Sequence, residues 1–483
     1  MAAVTAARYE TVVGLEVHVE LATRSKMFCG CPTDFGAPPN TQVCPVCLGL
    51  PGALPVPNAQ AVEFALRTAL ALGCRIDRDC RWDRKNYHYP DLPKGYQITQ
   101  YARPLAQHGE LRYAGTDGER TVRIRRLHME EDTGKSTHEG MPGGTTGVDL
   151  NRAGVPLIEI VSEPDLRTPE EARLYLEEIK AIMQYCEVSE CKMEEGSLRC
   201  DANISLRPYG QEAFGTKAEI KNMNSFRNVE RGLAFEQQRQ EKALTHGEVI
   251  VQETRRFDEA TGSTISMRGK EDAHDYRYFP DPDLPRIIVS DAFLTACQEE
   301  IPELPAAKRE RFMQAYGLPA YDAGVLTASR FLAEFFDATA RLVNDPKAAS
   351  NWLMGDVLAY MNASGESIEA IRVTPTQFAD LIGLIEDGTI STKIAKTVIK
   401  SMLDTGKAPK VIIEEQGLVQ ISDVDALTAI AKAVIERNPA AVQDVLEGKE
   451  KAIGSLVGQM MKETKGKANP AVVNQLLKDL ILS

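Results

Sequence analysis

Short runs in which apolar and polar residues alternate dominate the first part of the chain. The clearest of these runs cover residues 12–20, 123–130 and 201–206. An alternation of period two is the signature of a β-strand with one buried face. Turns rich in glycine and proline separate the runs. The pattern therefore predicts a sheet-based region whose strands each present one polar face.

Helical spacing predicts one helix within this region and dominates the rest of the chain. Thr168 is followed by a proline and two acids, which is the order of an N-cap, a first helical position and a first turn, so we expect a helix over 172–185. Beyond the proline-rich turn at 280–285, apolar residues recur at intervals of three and four, as in 348–362 and 376–386. The second part of the chain is therefore predicted to be helical.

Length and composition fit a protein of several domains. A chain of 483 residues exceeds a single ordinary core, so we expect a catalytic domain over 1–294, a helical domain over 295–408 and a helical tail over 409–483. No run of about 18 apolar residues occurs, which predicts no membrane span. The first eight residues are too few for a secretory signal, so we expect a cytoplasmic protein.

The net charge of −13 argues against a protein that coats nucleic acid along its whole surface, but a local basic patch stays compatible with it. Lysines recur on one helical face at 393, 396 and 400, with Lys407 and Lys410 close behind. A second group is Lys449, Lys451, Lys462, Lys465 and Lys467. Such patches suit contact with a phosphate backbone. They are equally typical of a solvated helix face, since aromatic residues that stack on bases are missing nearby.

Four of the ten cysteines form a cluster of two close pairs, Cys29 with Cys31 and Cys44 with Cys47. Two such pairs joined by a short loop can place four thiolates around one tetrahedral Zn²⁺. The alternative is four unrelated buried thiols. Because protein ligands would fill all four positions, we expect a structural zinc site.

Four predicted strands carry acids, amides, lysines or histidine at alternating positions. Residues two apart share a face of a strand. The four sets are Glu16, His18 and Glu20; His128, Glu130 and Asp132; Asp201, Asn203 and Ser205; and Lys217, Glu219 and Lys221. Glu131 would point the opposite way. As neighbours in one sheet they would form an oxygen-rich wall suited to Mg²⁺ and phosphate. Any one strand taken alone is equally typical of a solvated face, so this pattern does not by itself indicate ATP.

Two familiar catalytic motifs are missing from the sequence. Gly-Lys-Ser at 134–136 ends like a phosphate-binding loop, but Met129 stands where the first glycine of that loop belongs. No Gly-x-Ser-x-Gly element occurs. Nothing in the chain is therefore predicted to release ammonia from glutamine, and another chain would have to supply it.

Several long runs resemble a known family. They are 13–18, 44–52, 85–97, 128–132, 149–157, 196–203, 219–222 and 276–284. From Tyr9 onward, these runs make the chain similar to the B-subunit family of the aspartyl/glutamyl-tRNA(Asn/Gln) amidotransferases, the GatB/GatE family. The resemblance implies an α+β fold: a catalytic cradle of the glutamine synthetase/guanido kinase class built on antiparallel sheet, then a helical domain and a small YqeY-like tail.

The same resemblance implies a C–N ligase that uses glutamine as amide donor and works in translation. It implies that ATP and Mg²⁺ activate the side-chain carboxylate of misacylated Glu-tRNA(Gln) or Asp-tRNA(Asn) by phosphorylation. Ammonia would arrive through a channel from the A partner, a glutaminase, and the small C partner would complete the heterotrimer. The tail would contact the tRNA.

The resemblance also implies which residues form the site. Glu16, His18, Glu131 and Glu219 are expected as Mg²⁺ and channel-mouth residues, with Glu130 as the competitor of Glu131. Asp201 is expected in the catalytic set, Asn203 and Lys221 with Glu130 on the nucleotide, and Lys85 and Lys94 on the ammonia path and at the acceptor end.

Two alternatives remain at this point. A zinc-stabilised tRNA adaptor without catalysis would explain the cysteines and lysines, but not the acids and histidine of the first strand. The archaeal relative in a glutamate-specific enzyme, its E component, carries an extra inserted domain. This chain turns helical directly after Leu284 and has no room for that domain.

Overall fold

The computed structural model describes residues 9–137, 142–269, 275–366, 368–418, 424–447, 451–464, 468 and 470–482. The chain forms two compact units, one ending at Lys308 and the other beginning at Arg309. Both follow from the sequence pattern, because the first contains the alternating runs and the second the helical ones.

The first unit contains the strands. Their bounds are β1 Tyr9–Glu20, β2 Arg75–Ile76, β3 Asp79–Cys80, β4 Asp83–Asn86, β5 Tyr96–Thr99, β6 Ala106–Gly115, β7 Gly118–Glu131, β8 Lys135–Thr137, β9 Gly147–Asp149, β10 Pro156–Ser162, β11 Leu198–Pro208, β12 Ala218–Lys221, β13 Glu253–Asp258, β14 Ser263–Gly269, β15 Phe279–Pro280 and β16 Ile287–Ile288. The three alternating runs lie in β1, β7 and β11, so their prediction as strands is confirmed.

The helices follow the predicted division. They are α1 Ala59–Ala71, α2 Pro169–Tyr185, α3 Phe226–Thr245, α4 Asp291–Glu299, α5 Pro305–Tyr316, α6 Ala320–Thr327, α7 Arg330–Ala340, α8 Pro346–Trp352, α9 Leu358–Ser364, α10 Pro375–Glu386, α11 Thr392–Thr405, α12 Pro409–Glu415, α13 Val424–Arg437, α14 Pro439–Leu446, α15 Lys451–Glu463 and α16 Pro470–Leu482. A π-helical turn, Leu353–Val357, joins α8 to α9. The Thr168 hydroxyl accepts a hydrogen bond from the Glu171 N–H, which confirms the predicted N-cap.

Nine strands form one sheet in the order β14-β13-β12-β11-β1-β10-β7-β6-β2. Neighbouring strands are antiparallel except β12 and β13, which are parallel and are connected through α3. A parallel pair needs such a crossover connection. The prediction of an α+β fold built on a largely antiparallel sheet is confirmed; the analogies to glutamine synthetase and to YqeY stay predictions.

One face of this sheet is the core of the first unit. Val13, Leu15, Val17 and Val19 of β1 are buried on this face, and they share a hydrophobic cluster with residues of α1, α2 and α3. Since successive side chains of a strand point to opposite faces, the polar members of β1 are left on the other face. The helices therefore cover one face of the sheet, and the opposite face is polar.

A small sheet of order β15-β4-β5 belongs to the same unit. Its strand β4 pairs with β5 in a register that joins Lys85 to Gln97, and β15 pairs with the other edge of β4. The side-chain amide of Gln97 donates to the Glu131 backbone carbonyl at 2.6 Å, so this small sheet is tied to the end of β7. The tie fixes the small sheet, and with it Lys85, near the polar end of β7.

The second unit is helical, as its spacing predicts. Residues of α13, α15 and α16 form a separate hydrophobic cluster centred on Leu427, Leu456 and Leu477. No helix among the described residues is long and apolar enough to cross a membrane. The three-domain division, with boundaries after residues 294 and 408, stays a prediction.

Candidate functional site

Three neighbouring strands meet at the centre of the polar face. In the register of the sheet, His18 on β1 lies opposite Glu159 on β10, and Glu159 in turn lies opposite His128 on β7. Glu16 lies opposite Asp201 on β11. The alternation that buries the valines of β1 thus aligns titratable groups across four strands.

His18, Glu130 and Glu159, here called the His18 cluster, form the centre of this face. The Nε2 atom of His18 is 3.4 Å from a Glu159 carboxylate oxygen and 3.7 Å from one of Glu130. One ligand atom from each of the three lies within 4.8 Å of the others, which is the spacing of a metal-binding group. The cluster can therefore hold a divalent cation.

The two acids of the cluster favour the protonated, positively charged form of His18. Burial lowers the pKa of His18, but the ion pair with Glu159 and the charge of Glu130 outweigh burial and raise that pKa to about 8. Burial raises the pKa of Glu159, whereas His128 and His18 lower it well below its ordinary value. His128 also lies 3.4 Å from Glu159. Glu159 is thus held as an anion between two imidazoles.

A row of oxygen ligands extends from the cluster toward β12. The side-chain amide of Asn203 donates to Glu16 at 3.0 Å. Lys221 forms ion pairs with Asp201 and, at 3.1 Å, with Glu219. Burial raises the pKa of Glu16, and so do the charges of Glu159, Asp201 and Glu219. A carboxylate among carboxylates gains most from a cation placed between them.

A pocket of about 310 Å³ opens beside Glu16. Gly14 and Pro164 line it together, and a Cβ added to Gly14 would lie 3.6 Å from the Cα of Pro164. Lys217 and Arg125 contribute positive charge to the wall. The Oδ1 atom of Asn203, which also lines the pocket, is a buried acceptor without a hydrogen-bond partner among the described residues. The pocket therefore offers cations to an anionic ligand, next to a buried acceptor without a described partner.

Lys85 faces the His18 cluster from the small sheet. Its ammonium lies 4.9 Å from the ring centre of Tyr276 and 5.8 Å from that of Tyr87. Burial lowers the pKa of Lys85, but the charge of Glu130 leads the effects that raise it above the ordinary value. Lys85 is thus a half-buried cation held by aromatic faces and by the acids of the sheet.

Glu131 and Lys94 form a separate ion pair. The Lys94 ammonium contacts the Glu131 carboxylate, and the N–H of Ile98 donates to the same carboxylate at 2.9 Å. Side chains of Glu130 and Glu131 leave the strand on opposite faces, as alternation requires. Glu131 therefore lies with Lys94 and is not part of the His18 cluster.

The four cysteines meet as the spacing predicts. Sulfur atoms of Cys29, Cys31, Cys44 and Cys47 lie within 4.8 Å of one another. Burial and the neighbouring thiols raise the pKa of Cys31 to about 11, whereas a hydrogen bond from Cys29 leads the effects that lower the pKa of Cys47 to about 4. Four sulfur donors at this spacing fit a tetrahedral zinc ion.

The predicted basic patches lie on the second unit. Lys393, Lys396 and Lys400 are exposed on one face of α11. Lys396 has Asp356 at 3.8 Å, and Lys407 is paired with Glu415 at 2.8 Å. Lys410 and Lys462 are exposed, the side chain of Lys451 is outside the described part, and Lys449, Lys465 and Lys467 lie outside the described residues.

The structure brings together most, but not all, of the residues singled out in the sequence. Those on one face are Glu16, His18, Glu130, Asp201, Asn203, Glu219 and Lys221, with Lys85 facing them. Glu131 and Lys94 form a second group. Sequence reasoning placed His128 on the polar face but missed Glu159, which pairs with both His18 and His128. The signal for Glu159 was available, because it is the one acid inside the apolar run 157–161.

Comparisons with known proteins agree along nearly the whole chain. The model of the GatB/GatE catalytic domain matches residues 11–295, and that of the GatB domain matches 334–481. Relatives from Brevibacillus brevis, Carboxydothermus hydrogenoformans and Moorella thermoacetica are 57%, 54% and 56% identical. The alignments cover 99%, 98% and 98% of this chain and 99%, 98% and 99% of the relatives. Each relative is named as the B subunit of an aspartyl/glutamyl-tRNA(Asn/Gln) amidotransferase.

Proposed function

Because the chain belongs to the GatB/GatE family of amidotransferase subunits, we propose that it activates the side-chain carboxylate of glutamate on tRNA(Gln), of aspartate on tRNA(Asn), or of both. ATP transfers its γ-phosphoryl group to that carboxylate, and ammonia then displaces phosphate to leave the amide. The observation that carries the proposal is the His18 cluster, which presents Glu130 and Glu159 on a sheet face that continues to Glu16.

The chemistry explains why such a face is needed. A carboxylate is a poor acyl donor, since its leaving group would be oxide. Phosphorylation replaces oxide with phosphate as the leaving group, although it requires two anions to come together. Catalysis of that step is chiefly positioning and charge stabilisation.

The residues present fit Mg²⁺. Carboxylate oxygens are the ligands that this ion prefers. Glu130, Glu159 and Glu16 would hold it, with His18 at the edge of the same group, and Asp201 and Glu219 supply further oxygens. When bound, Mg²⁺ neutralises the charge of the nucleotide phosphates and of the developing leaving group.

The pocket beside Glu16 supports a place for the nucleotide. Lys217 and Arg125, which line this pocket, offer positive charge to phosphate oxygens. Lys221 sits between Asp201 and Glu219, where it keeps the acidic row from repelling the nucleotide. The unmatched Oδ1 of Asn203 can accept a hydrogen bond from a ligand hydroxyl.

In this proposal, Lys94 and Glu131 act in ammonia delivery, and Lys85 acts on the carboxyl group that is amidated. The activated carboxyl must be kept from water, so ammonia is best delivered inside the protein. An arriving ammonium ion would have to replace the Lys94 ammonium as the partner of the Glu131 carboxylate before it could move inward. Glu131 can then remove a proton from it to give ammonia. Lys85 would orient the carboxyl of the aminoacyl group.

Further parts of the proposal concern partners. The chain lacks the glutaminase motifs sought in its sequence, so the A partner, a glutaminase, supplies ammonia, and the small C partner completes a heterotrimer. Zn²⁺ occupies the four cysteines, the basic faces of the second unit contact tRNA, and the complex works in the cytoplasm. The three-domain division is part of the same proposal.

A trapping experiment tests the activation step. The protein with its A and C partners is mixed with ATP, Mg²⁺ and misacylated tRNA, and hydroxylamine replaces ammonia. The proposal expects a hydroxamate on the side chain and one ADP per hydroxamate, with neither product from Glu159→Gln. A complex that binds the tRNA and forms no hydroxamate in the wild type would make the chain an adaptor instead.

A further inference from the structure

The cysteine cluster has two arms, the segment that carries Cys29 and Cys31 and the segment that carries Cys44 and Cys47, and a neighbour of each lies close to Lys94. The ring of Phe28, which precedes Cys29, is centred 5.9 Å from the Lys94 ammonium. Gly49, which follows Cys47 by two residues, lies so near that an added Cβ would be 2.5 Å from the Cγ of Lys94 and 3.1 Å from its Cα. One arm therefore lies near the ammonium of Lys94 and the other near the base of its side chain.

Lys26, Cys47 and Glu131 all lie next to Gly154. The side chain of Lys26 is fully buried, and its ammonium donates to two backbone carbonyls at 2.7 and 3.3 Å. A Cβ added to Gly154 would lie 3.5 Å from the Cδ of Lys26, 3.6 Å from the Cβ of Cys47 and 3.9 Å from a carboxylate oxygen of Glu131. Four thiolates around one Zn²⁺ carry a net charge of about −2, which a buried ammonium at this point would partly offset.

Backbone hydrogen bonds complete the connection. The N–H of Lys26 donates to the carbonyl of Cys31 at 3.0 Å, and that of Met27 donates to Gly154 at 2.7 Å. Gly154 in turn donates to the carbonyl of Asp132 at 2.9 Å, immediately after Glu131. A continuous set of contacts thus runs from the sulfur cluster to the end of β7.

We propose that the cysteine cluster positions the Lys94–Glu131 ion pair, with Gly49 and Lys26 as the positioning residues. When the metal draws the two arms together, Gly49 and Phe28 hold Lys94 against Glu131. When the arms separate, Lys94 loses Phe28 and Gly49, keeps only the Tyr96 ring at 5.3 Å beside its Glu131 partner, and turns outward. The inference rests on the zinc site of the proposed function and goes beyond it, because it concerns where Lys94 lies and requires neither ATP nor ammonia.

Site-specific labelling of the full chain tests this link. An amine-reactive reagent is applied to the zinc-loaded protein and to protein depleted by a chelator, and mass spectrometry measures modification at Lys94 and at Lys85. Lys85 is the internal control, because its ring contacts are Tyr276 and Tyr87. We expect zinc removal to raise labelling at Lys94 several-fold and to leave Lys85 unchanged. Equal change at both lysines, or none at Lys94, would overturn the proposal.

A matched pair of glycine variants tests the contact with the metal still bound. Gly49 and Gly52 both have positive φ, +68° and +85°, so alanine strains the backbone at either position. Only the added methyl at 49 meets a neighbour, since nothing lies within 4 Å of position 52. With zinc content measured in each, Gly49→Ala should raise Lys94 labelling several-fold and Gly52→Ala should not. The same labelling in both variants would refute a positioning role for Gly49.

Discussion

The imidazole of His18 lies 3.4 Å from the carboxylate of Glu159, its partner in the register between β1 and β10. The two residues are far apart in the sequence, and the antiparallel pairing alone brings them together. Glu130 on β7 approaches the same imidazole, so three strands supply one cluster. Alternation along each strand selects the face, and pairing between strands selects the partners.

Loss of Glu159 should abolish amidation while the protein stays folded. Glu159→Gln removes a proposed Mg²⁺ ligand and the anion that pairs with His18 and His128, at nearly constant volume. We expect the rate with free ammonia to fall at least ~100-fold, the size of a lost electrostatic contribution in a catalytic site. The control is Glu110→Gln, an exposed glutamate on β6 of the same sheet. Equal rates for the two variants would remove Glu159 from the site.

Breaking the Lys94–Glu131 pair should cost both stability and ammonia transfer. Lys94→Ala leaves a buried carboxylate without its cation, which costs about 3–5 kcal/mol in denaturant unfolding. Glutamine-dependent amidation should fall. The double variant Lys94→Gln with Glu131→Gln removes both charges, so it should recover much of the stability without the amidation. Unchanged glutamine-dependent amidation in Lys94→Ala would contradict the role of the pair.

Zinc content should depend on the clustered cysteines alone. We expect about one Zn²⁺ per chain, because four sulfur ligands complete one tetrahedral shell. Cys47→Ser should lose the metal and lower the midpoint of thermal unfolding. Cys80→Ser, at a buried cysteine outside the cluster, is the control and should keep the metal. Elemental analysis decides, and zinc retained by Cys47→Ser would argue against the site.

Charge removal on α11 should weaken tRNA binding in a salt-dependent way. Lys393→Gln with Lys400→Gln removes two exposed charges from one helix face. Each phosphate interaction that the substitutions remove should flatten the slope of log affinity against log salt by roughly 0.7–0.9. Lys407→Gln is the control, because Glu415 already neutralises this lysine. Slopes that match the wild type in the double variant would exclude this face from tRNA binding.

Asp337 should make the second unit sensitive to acid. Burial raises the pKa of Asp337, but hydrogen bonds from Arg311 and Tyr316 lower it more, so the pKa in the folded protein is below its ordinary value. The stability that ionised Asp337 gains from Arg311 and Tyr316 is therefore present above the pKa of an unfolded aspartate, about 4. It is lost as the pH falls through the lower pKa of Asp337 in the folded protein. Asp337→Asn should lower the free energy of unfolding by about 1–2 kcal/mol at pH 7, and by progressively less below pH 4. Asp380→Asn, at an exposed residue of α10, is the control and should leave the stability unchanged at pH 7 and below pH 4. Thermal unfolding of both variants at pH 7 and below pH 4 measures the difference.

The sequence predicted the strands and the polar face better than the contacts within that face. Alternation identified Glu16 and His18 on β1 because it depends only on neighbours along the chain. It could not identify Glu159, since a single acid in an apolar strand finds its partners only through pairing with distant strands.

The choice between Glu130 and Glu131 shows the same limit. The two are adjacent, and their opposite directions follow from alternation, but which face carries the cluster depends on the register with β10. The Lys94 contact depends on the small sheet docked at the end of β7, and no local pattern encodes that docking. The cysteine cluster was predictable because its spacing alone constrains four ligands to one point.

Amidation with free ammonia is the sharpest test of catalysis at the His18 cluster. The protein with its A and C partners receives ATP, Mg²⁺ and glutamate charged on tRNA(Gln), with ammonia replacing glutamine, and wild type is compared with His18→Ala. We predict glutaminyl-tRNA from the wild type and none from the variant, with tRNA binding equal in both. Equal product from both would contradict the placement of the reaction at the His18 cluster, and tRNA binding without product in the wild type would contradict catalysis by this chain.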